Sequence, residues 1–313
     1  MVRSKTAPRA KTRPNAPPTQ RVLHWDEVPS WMRIDPYIRN GYRRQLNSLT
    51  ACFWSLFYLH NDFVNTWSHL LPAILWITAL VGVEMELFSY NSHVGAGQIV
   101  ERESVVMVQY YVVGTLILLL ASAFFHMTAA HSETMSKRLL KLDYVGIAFG
   151  ICATNMSSTY FGLHDKPWWL MFYNTFCVIA GVALLVSLMS PNADGPKAAL
   201  VRVFTFMALM ASGFAPILHF YLVEGSEGVR PFPFWHTVAM ELWYSAGTFF
   251  YLTHWPEKQF PETFDIFGAS HQIFHILVAI GQFVFFLGLR ERLVMPIAFA
   301  TQLEINKRGL WLR

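Results

Sequence analysis

The stretch Val105–Met127 reads VVMVQYYVVGTLILLLASAFFHM, with no Lys, Arg, Asp or Glu in 23 residues. As a helix rising about 1.5 Å per residue it would be about 34 Å long. The hydrocarbon layer of a bilayer is about 30 Å thick and takes about 20 apolar helical residues to cross. Six more runs of this kind flank it: Thr66–Phe88 before it, then Leu142–Phe161, Pro167–Met189, Ala198–Val223, Phe234–Trp255 and Gly268–Leu289 after it. Connections between them are short, and Ser190-Pro-Asn-Ala-Asp-Gly-Pro196 is a strong turn signal. Pro216 lies inside the fifth run, where a membrane helix tolerates it as a kink. The pattern predicts an all-α integral membrane protein, a seven-transmembrane helix bundle over residues 66–289.

Composition agrees. Only 14% of the 313 residues are charged and 54% are apolar, whereas soluble domains carry about 25% charged residues. Too little charge is present to coat a soluble core. Residues 1–24 have the opposite character: Arg3, Lys5, Arg9, Lys11, Arg13 and Arg21 stand among Pro8, Pro14, Pro17 and Pro18 without one acid. Such a segment cannot bury enough surface to fold alone. It reads as a disordered cytoplasmic tail, solvated or touching anionic lipid, and nucleic acid is not implied. No apolar stretch of signal-peptide length follows it, so no cleaved leader is expected. Residues 25–65 then form a juxtamembrane segment, and 290–313 a C-terminal tail. The odd count of cysteines, Cys52, Cys152 and Cys177, predicts free buried thiols.

Positive loops stay on the cytoplasmic side. Residues 1–65 contain ten Lys or Arg, whereas Arg102, Lys166 and Arg230 are alone in their loops, two of which also carry Glu101 and Glu103 or Glu224 and Glu227. The prediction is N-in, C-out. The basic C-terminal tail opposes this, but early segments usually dominate.

Ionisable groups inside spans are costly and raise a functional question. His271 and His275 are four apart, on one helix face. That spacing suits two imidazoles on one metal, or two interfacial histidines bonded to neighbouring helices. His126 ends the second span and His271 opens the seventh. Four complete spans lie between them, so both are on one side of the membrane, and so is Asp143 at the start of the third. This inference holds for either orientation. Three His donors fit a zinc ion whose fourth position is left to water or substrate, and zinc lowers the pKa of such a water towards 7. Asp143 could be a fourth ligand, orient that water or act as its base. Ser122, one turn before His126, could bond a carbonyl near the metal or its own helix backbone. His69 and His219 read as satisfied packing residues, and His60 and His254, outside the spans, as mostly solvated.

The same residues carry a family likeness. Ser122-x-x-x-His126, Asp143 within Lys141-Leu-Asp-Tyr-Val-Gly-Ile147, and Ser270-His-Gln-Ile-Phe-His275 together resemble the progestin and adipoQ receptor family. That family includes adiponectin receptors, fungal zinc- and sterol-related homologues and haemolysin III-like proteins. Further matches are Trp25-Asp-Glu-Val-Pro-Ser-Trp31, Asn40-Gly-Tyr-Arg43, Asn65-Thr-Trp-Ser-His-Leu70, His131-Ser-Glu133, Pro216-x-x-His219-Phe, Pro256-Glu-Lys-Gln-Phe-Pro261 and Phe264-Asp-Ile266. The likeness covers about Trp25 to Leu289. It implies an N-in, C-out bundle with zinc near the cytoplasmic side on His126, His271 and His275, and Asp143 reaching the metal through water. It also implies a lipid-filled interior and, in some members, ceramidase-like amide hydrolysis. A short N-terminal region and unlike outer loops set this chain apart from the animal adiponectin receptors, so adiponectin is not the expected ligand; the fungal homologues are nearer in design.

Two functions follow. One is a zinc amidohydrolase taking a ceramide-like lipid from the bilayer and releasing a free fatty acid, with Asp143 and Ser122 assisting. The other is a non-catalytic receptor or sensor of lipid, sterol or metal homeostasis, with structural zinc and an unknown extracellular ligand. A multi-pass protein of the plasma membrane or an endomembrane is expected in either case. No chain of carboxylates crosses the membrane, which weakens a transporter reading.

Overall fold

A computed structural model describes residues 22–93, 102–189 and 196–310. The basic tail expected over residues 1–24 lies almost wholly outside the described residues. The helices in chain order are α1 (Leu49–Trp54), α2 (Phe63–His93), α3 (Arg102–Thr128), α4 (Glu133–Leu163), α5 (Pro167–Met189), α6 (Pro196–Glu224), α7 (Ser226–Val229), α8 (Phe234–Thr253) and α9 (Ser270–Leu310). A two-residue ribbon, β1 (Val22–Leu23) against β2 (Tyr42–Arg43), is the only sheet among the described residues.

Six of the described helices are long and apolar enough to cross a membrane: Phe63–Gly82 of α2, all of α3, α4 and α5, Phe204–Glu224 of α6, and Ser270–Leu293 of α9. The helix α8 has 20 residues, a length of about 30 Å. His236, Glu241 and its Trp and Tyr residues keep it below the apolarity of the other six. Helix ends differ from the apolar runs for a local reason. The third run begins at Leu142, yet α4 starts at Glu133. Ser132 caps it by accepting from Met135 N, and Lys137 Nζ donates to Glu133 one turn along at 2.8 Å. Gly268, expected to open the last span, instead takes φ +83° ahead of α9. The helix α6 continues through Pro216.

The helices α2 to α6 pack each on the next, α8 packs on α9, α4 also meets α6, and α9 closes the bundle against α2 and α3. The bundle's exterior is apolar: Trp168, Trp235, Leu222 and Phe204 all point outward. Its interior combines apolar packing, as among Tyr111, Phe285 and Leu289, with buried polar pairs such as Asn155 Nδ2 donating to Leu209 O and Ser212 Oγ across the α4–α6 seam. In lipid, where burying apolar surface gives little drive, close helix approach through small residues replaces it. Gly114 of α3 faces Ala153 of α4 so closely that a Cβ there would strike the alanine methyl.

One end of the bundle is covered by residues 22–62. Leu23, Val28, Met32, Ile38 and Tyr42 form a small core with Ala130 and Ala269. Asp265 accepts from Arg39 N and Asn40 N at 3.1 and 2.9 Å, and Leu46 N and Asn47 N donate to Ala130 O and His131 O. The segment is thus tied both to the α3–α4 turn and to the α8–α9 loop.

Gly114→Val should destabilise the bundle by about 1–3 kcal/mol through overpacking, whereas Gly82→Ala, with nothing within 4 Å of the new methyl, should change stability by less than about 1 kcal/mol. Thermal melts of the two variants in the same detergent test this; equal melting temperatures would refute the close α3–α4 approach.

Candidate metal centre

Two helices supply three histidines at the covered end. His126 stands two residues before the end of α3, while His271 and His275 occupy the first two turns of α9. One nitrogen from each lies within 4.8 Å of the others, and His126 Nε2 is 3.3 Å from His271 Nε2. Two ligands on a tetrahedral zinc, with Zn–N bonds of about 2.0–2.1 Å, stand about 3.3–3.4 Å apart. The donor set therefore fits such an ion.

Two of the far nitrogens are also committed. His126 Nδ1 is 3.1 Å from Asp62 Oδ1, and His275 Nδ1 is 3.1 Å from Asn65 O and 3.2 Å from Ser68 Oγ. An Nδ1–H donated to a carboxylate or carbonyl leaves the Nε2 lone pair free and the ring held in plane, as metal-ligating histidines require. Asp62 and Asn65 flank the start of α2. The start of a helix that carries none of the three histidines thus orients one of them on each of the two helices that do.

Asp62 is gripped in turn by Arg43, whose Nη2 lies 3.0 Å from its Oδ2. Arg43 is 1% exposed. It also donates to Met127 O at 2.6 Å, His126 O at 2.7 Å and Ser55 Oγ at 3.0 Å. The last carbonyls of a helix have no partner within it, so the guanidinium caps α3 where it delivers His126. Burial alone would raise the Asp62 carboxyl, but the hydrogen bond to His126 and the charge of Arg43 hold it well below the usual carboxylate range. Burial, with Arg43 beside it, pushes the His60 imidazole down to about 3. His60 is buried, contrary to the solvated position expected for it, and its neutral Nδ1 accepts from Asp62 N at 3.1 Å. Burial also pushes the Tyr42 phenol well up, with Asp62, Asp35 and Asp265 adding to the effect.

Asp143 and Ser122 meet on the adjoining face of α3 and α4, the hydroxyl bonding the carboxylate. Both are buried, and Asp143 Oδ1 has no well-formed hydrogen bond. The carboxylate is not among the atoms that converge with the three imidazoles. His69, read from sequence as a satisfied packing residue, packs but is not satisfied. It stacks on His275 with ring centres 3.8 Å apart and planes 7° off parallel, and neither ring nitrogen makes a well-formed hydrogen bond. His219 does have a partner, Tyr173 Oη at 2.9 Å. Cys52, Cys152 and Cys177 are free thiols, and Cys152 is only half-buried. Sequence reasoning missed Asp62 and the role of Arg43. The available signal was an acid three residues before Asn65-Thr-Trp-Ser-His69, a stretch already conspicuous for polarity at a span's edge.

Comparison with known proteins bears on this centre. The haemolysin-III-related family model matches residues 57–286, which spans Asp62, all three histidines and Asp143. An adiponectin receptor protein of Drosophila melanogaster is 32% identical over 90% of this chain, which spans 61% of the fly protein's length. An ADIPOR-like receptor of Eremothecium gossypii is 30% identical, with 84% of this chain and 81% of that protein aligned. A progestin and adipoQ receptor family member of Homo sapiens is 28% identical, with 83% and 82% aligned. With the family model covering most of its length and receptor-named relatives aligned over 84–90% of it, this chain belongs to the haemolysin-III-related, or progestin and adipoQ receptor, family of membrane proteins.

Proposed function

We propose that the chain is a seven-span bundle, N-terminus in the cytosol, that holds one zinc ion on His126, His271 and His275 and hydrolyses the amide of a ceramide-like lipid to release a free fatty acid. The basic N-terminal segment supports the orientation, and the length of α8 and its packing on α9 support the seventh span. The observation that carries the reading is the convergence of three imidazoles, with a buried carboxylate beside them that is not one of the converging donors. Three ligands leave a position for chemistry, whereas a closed four-ligand set would brace the bundle.

When bound, zinc supplies a Lewis acid for the amide carbonyl and lowers the pKa of water at its open position. The rest falls to the chain. Asp143 accepts the proton of the attacking water through its unpartnered Oδ1 and returns it to the leaving amine, as a general base and then acid. Ser122 steadies the carboxylate's other side. Asp62 and Arg43 keep the His126 ring in one tautomer and orientation. A lipid enters sideways between helices, since the bundle's outer surface is apolar at the depth of the membrane. The second reading, a non-catalytic receptor or sensor with structural zinc, draws support from the word receptor in the names of the relatives.

Fatty-acid release from ceramides by the purified chain, with zinc measured by elemental analysis, separates the two. Asp143→Asn should retain its zinc and lose release by about 10²–10⁴-fold; a wild type that releases nothing from any of several ceramides leaves the receptor reading standing. Asp62→Ala strips Arg43 of its counter-charge, so the fold should lose about 3 kcal/mol. Chelator competition should find zinc held about 10–100-fold more weakly. Unchanged affinity in that variant would show that Asp62 does not position His126.

A further inference from the structure

A second group of side chains of metal-ligating type, distinct from the three histidines, stands at the same end. Asp35 comes from the N-terminal segment, and His254 and Glu257 from the α8–α9 loop. One donor atom from each lies within 4.8 Å of the others. His254 Nδ1 is 3.1 Å from Asp35 Oδ2 and 4.0 Å from Glu257 Oε1.

An ion-pair reading leaves this cluster short of positive charge. A single imidazole nitrogen can give one proton to one oxygen, yet two carboxylates aim at Nδ1. Among the described residues neither carboxylate pairs with a Lys or Arg: the neighbouring Lys258 ammonium lies over the Tyr37 ring, 5.8 Å from its centre. Glu257 is 0% exposed, and its other partners are neutral, the backbone N–H and hydroxyl of Ser270. A fully buried carboxylate without a full counter-charge is expensive.

The remaining contacts hold the donors in place. Tyr37 N donates to Asp35 Oδ1 at 2.8 Å, leaving Oδ2 for the cluster. Tyr37 also packs its ring on His254, with centroids 5.3 Å apart. His254 ends α8 with φ +50°, which turns it out of the helix. One imidazole and two carboxylates converging from two segments form a donor set that zinc and related divalent ions take. His254, 37% exposed at its side chain, leaves a side open to water.

We infer that Asp35, His254 and Glu257 form a second divalent-cation site, which clamps the N-terminal segment to the α8–α9 loop. An ion there neutralises both carboxylates at once and joins chain segments more than 200 residues apart. It also bears on the histidine centre, because Glu257 holds both the N–H and the hydroxyl of Ser270, the residue before His271.

The test uses the full chain in detergent, dialysed against zinc, with bound metal counted by elemental analysis and backbone hydrogen exchange followed over residues 22–46. Wild type should hold two ions per chain. His254→Ala and Asp35→Asn should each hold one, and the doubly substituted His271→Ala/His275→Ala chain should keep the ion on Asp35, His254 and Glu257. Zinc should slow exchange in residues 22–46 of wild type and leave it unchanged in Asp35→Asn, a substitution at a partly exposed position outside the bundle. A stoichiometry that neither His254→Ala nor Asp35→Asn lowers overturns the inference, as does zinc-independent exchange in wild type. A wild type with one ion that only the His271 and His275 substitutions remove overturns it while sparing the proposed catalytic centre. One ion that Asp35→Asn and His254→Ala each remove, and that the His271 and His275 substitutions leave in place, does the reverse.

Discussion

A buried guanidinium under the end of α3 joins the covering segment to the bundle. Arg43 gives hydrogen bonds to two terminal carbonyls of that helix and to Ser55, and a charge to Asp62. Each of these groups would be costly to leave unmet away from water. Arg43 belongs to β2, so the same residue that closes the short ribbon fixes where α3 stops and which way His126 turns. Asp62 then passes the constraint to α2, and Asn65 and Ser68 pass it on to α9.

The bundle was legible in the sequence because apolar runs report contact with lipid, and they report little else. They did not show that α4 begins nine residues before its apolar stretch, since a Ser132 cap and a Glu133–Lys137 pair build a helix outside lipid. They also gave α8 the same standing as its neighbours, although His236 and Glu241 lower its apolarity. The three histidines and Asp143 could be brought to one side by counting spans, because parity does not depend on exact helix ends. Partners contributed by the covering segment could not. Nothing in the local pattern of Asn40-Gly-Tyr-Arg43 or Asp35 says which distant element will receive it; that depends on tertiary packing over separations such as 219 residues between Asp35 and His254.

The bundle is apolar on both its outside and its inside. Large side chains such as Trp168 and Leu222 face outward, while Phe285, Leu289 and Leu119 are buried together with Ser, Thr, Asn and His side chains. Helices are held by close approach, as at Gly114 and Ala153, and by hydrogen bonds such as those of Asn155. A polar pocket can therefore sit within the membrane's depth without unravelling the helices that line it, since their backbone groups are satisfied within each helix.

Asp62 and the first turn of α2 carry none of the three converging histidines, yet they hold the far nitrogen of one histidine on α3 and of another on α9. They work as a jig. The bite of the centre is set by a part that never touches the work, so a small slide of α2 along its axis would twist two rings out of register together. Tolerance to change in this protein should accordingly be lowest along a helix that an inventory of ligands would pass over.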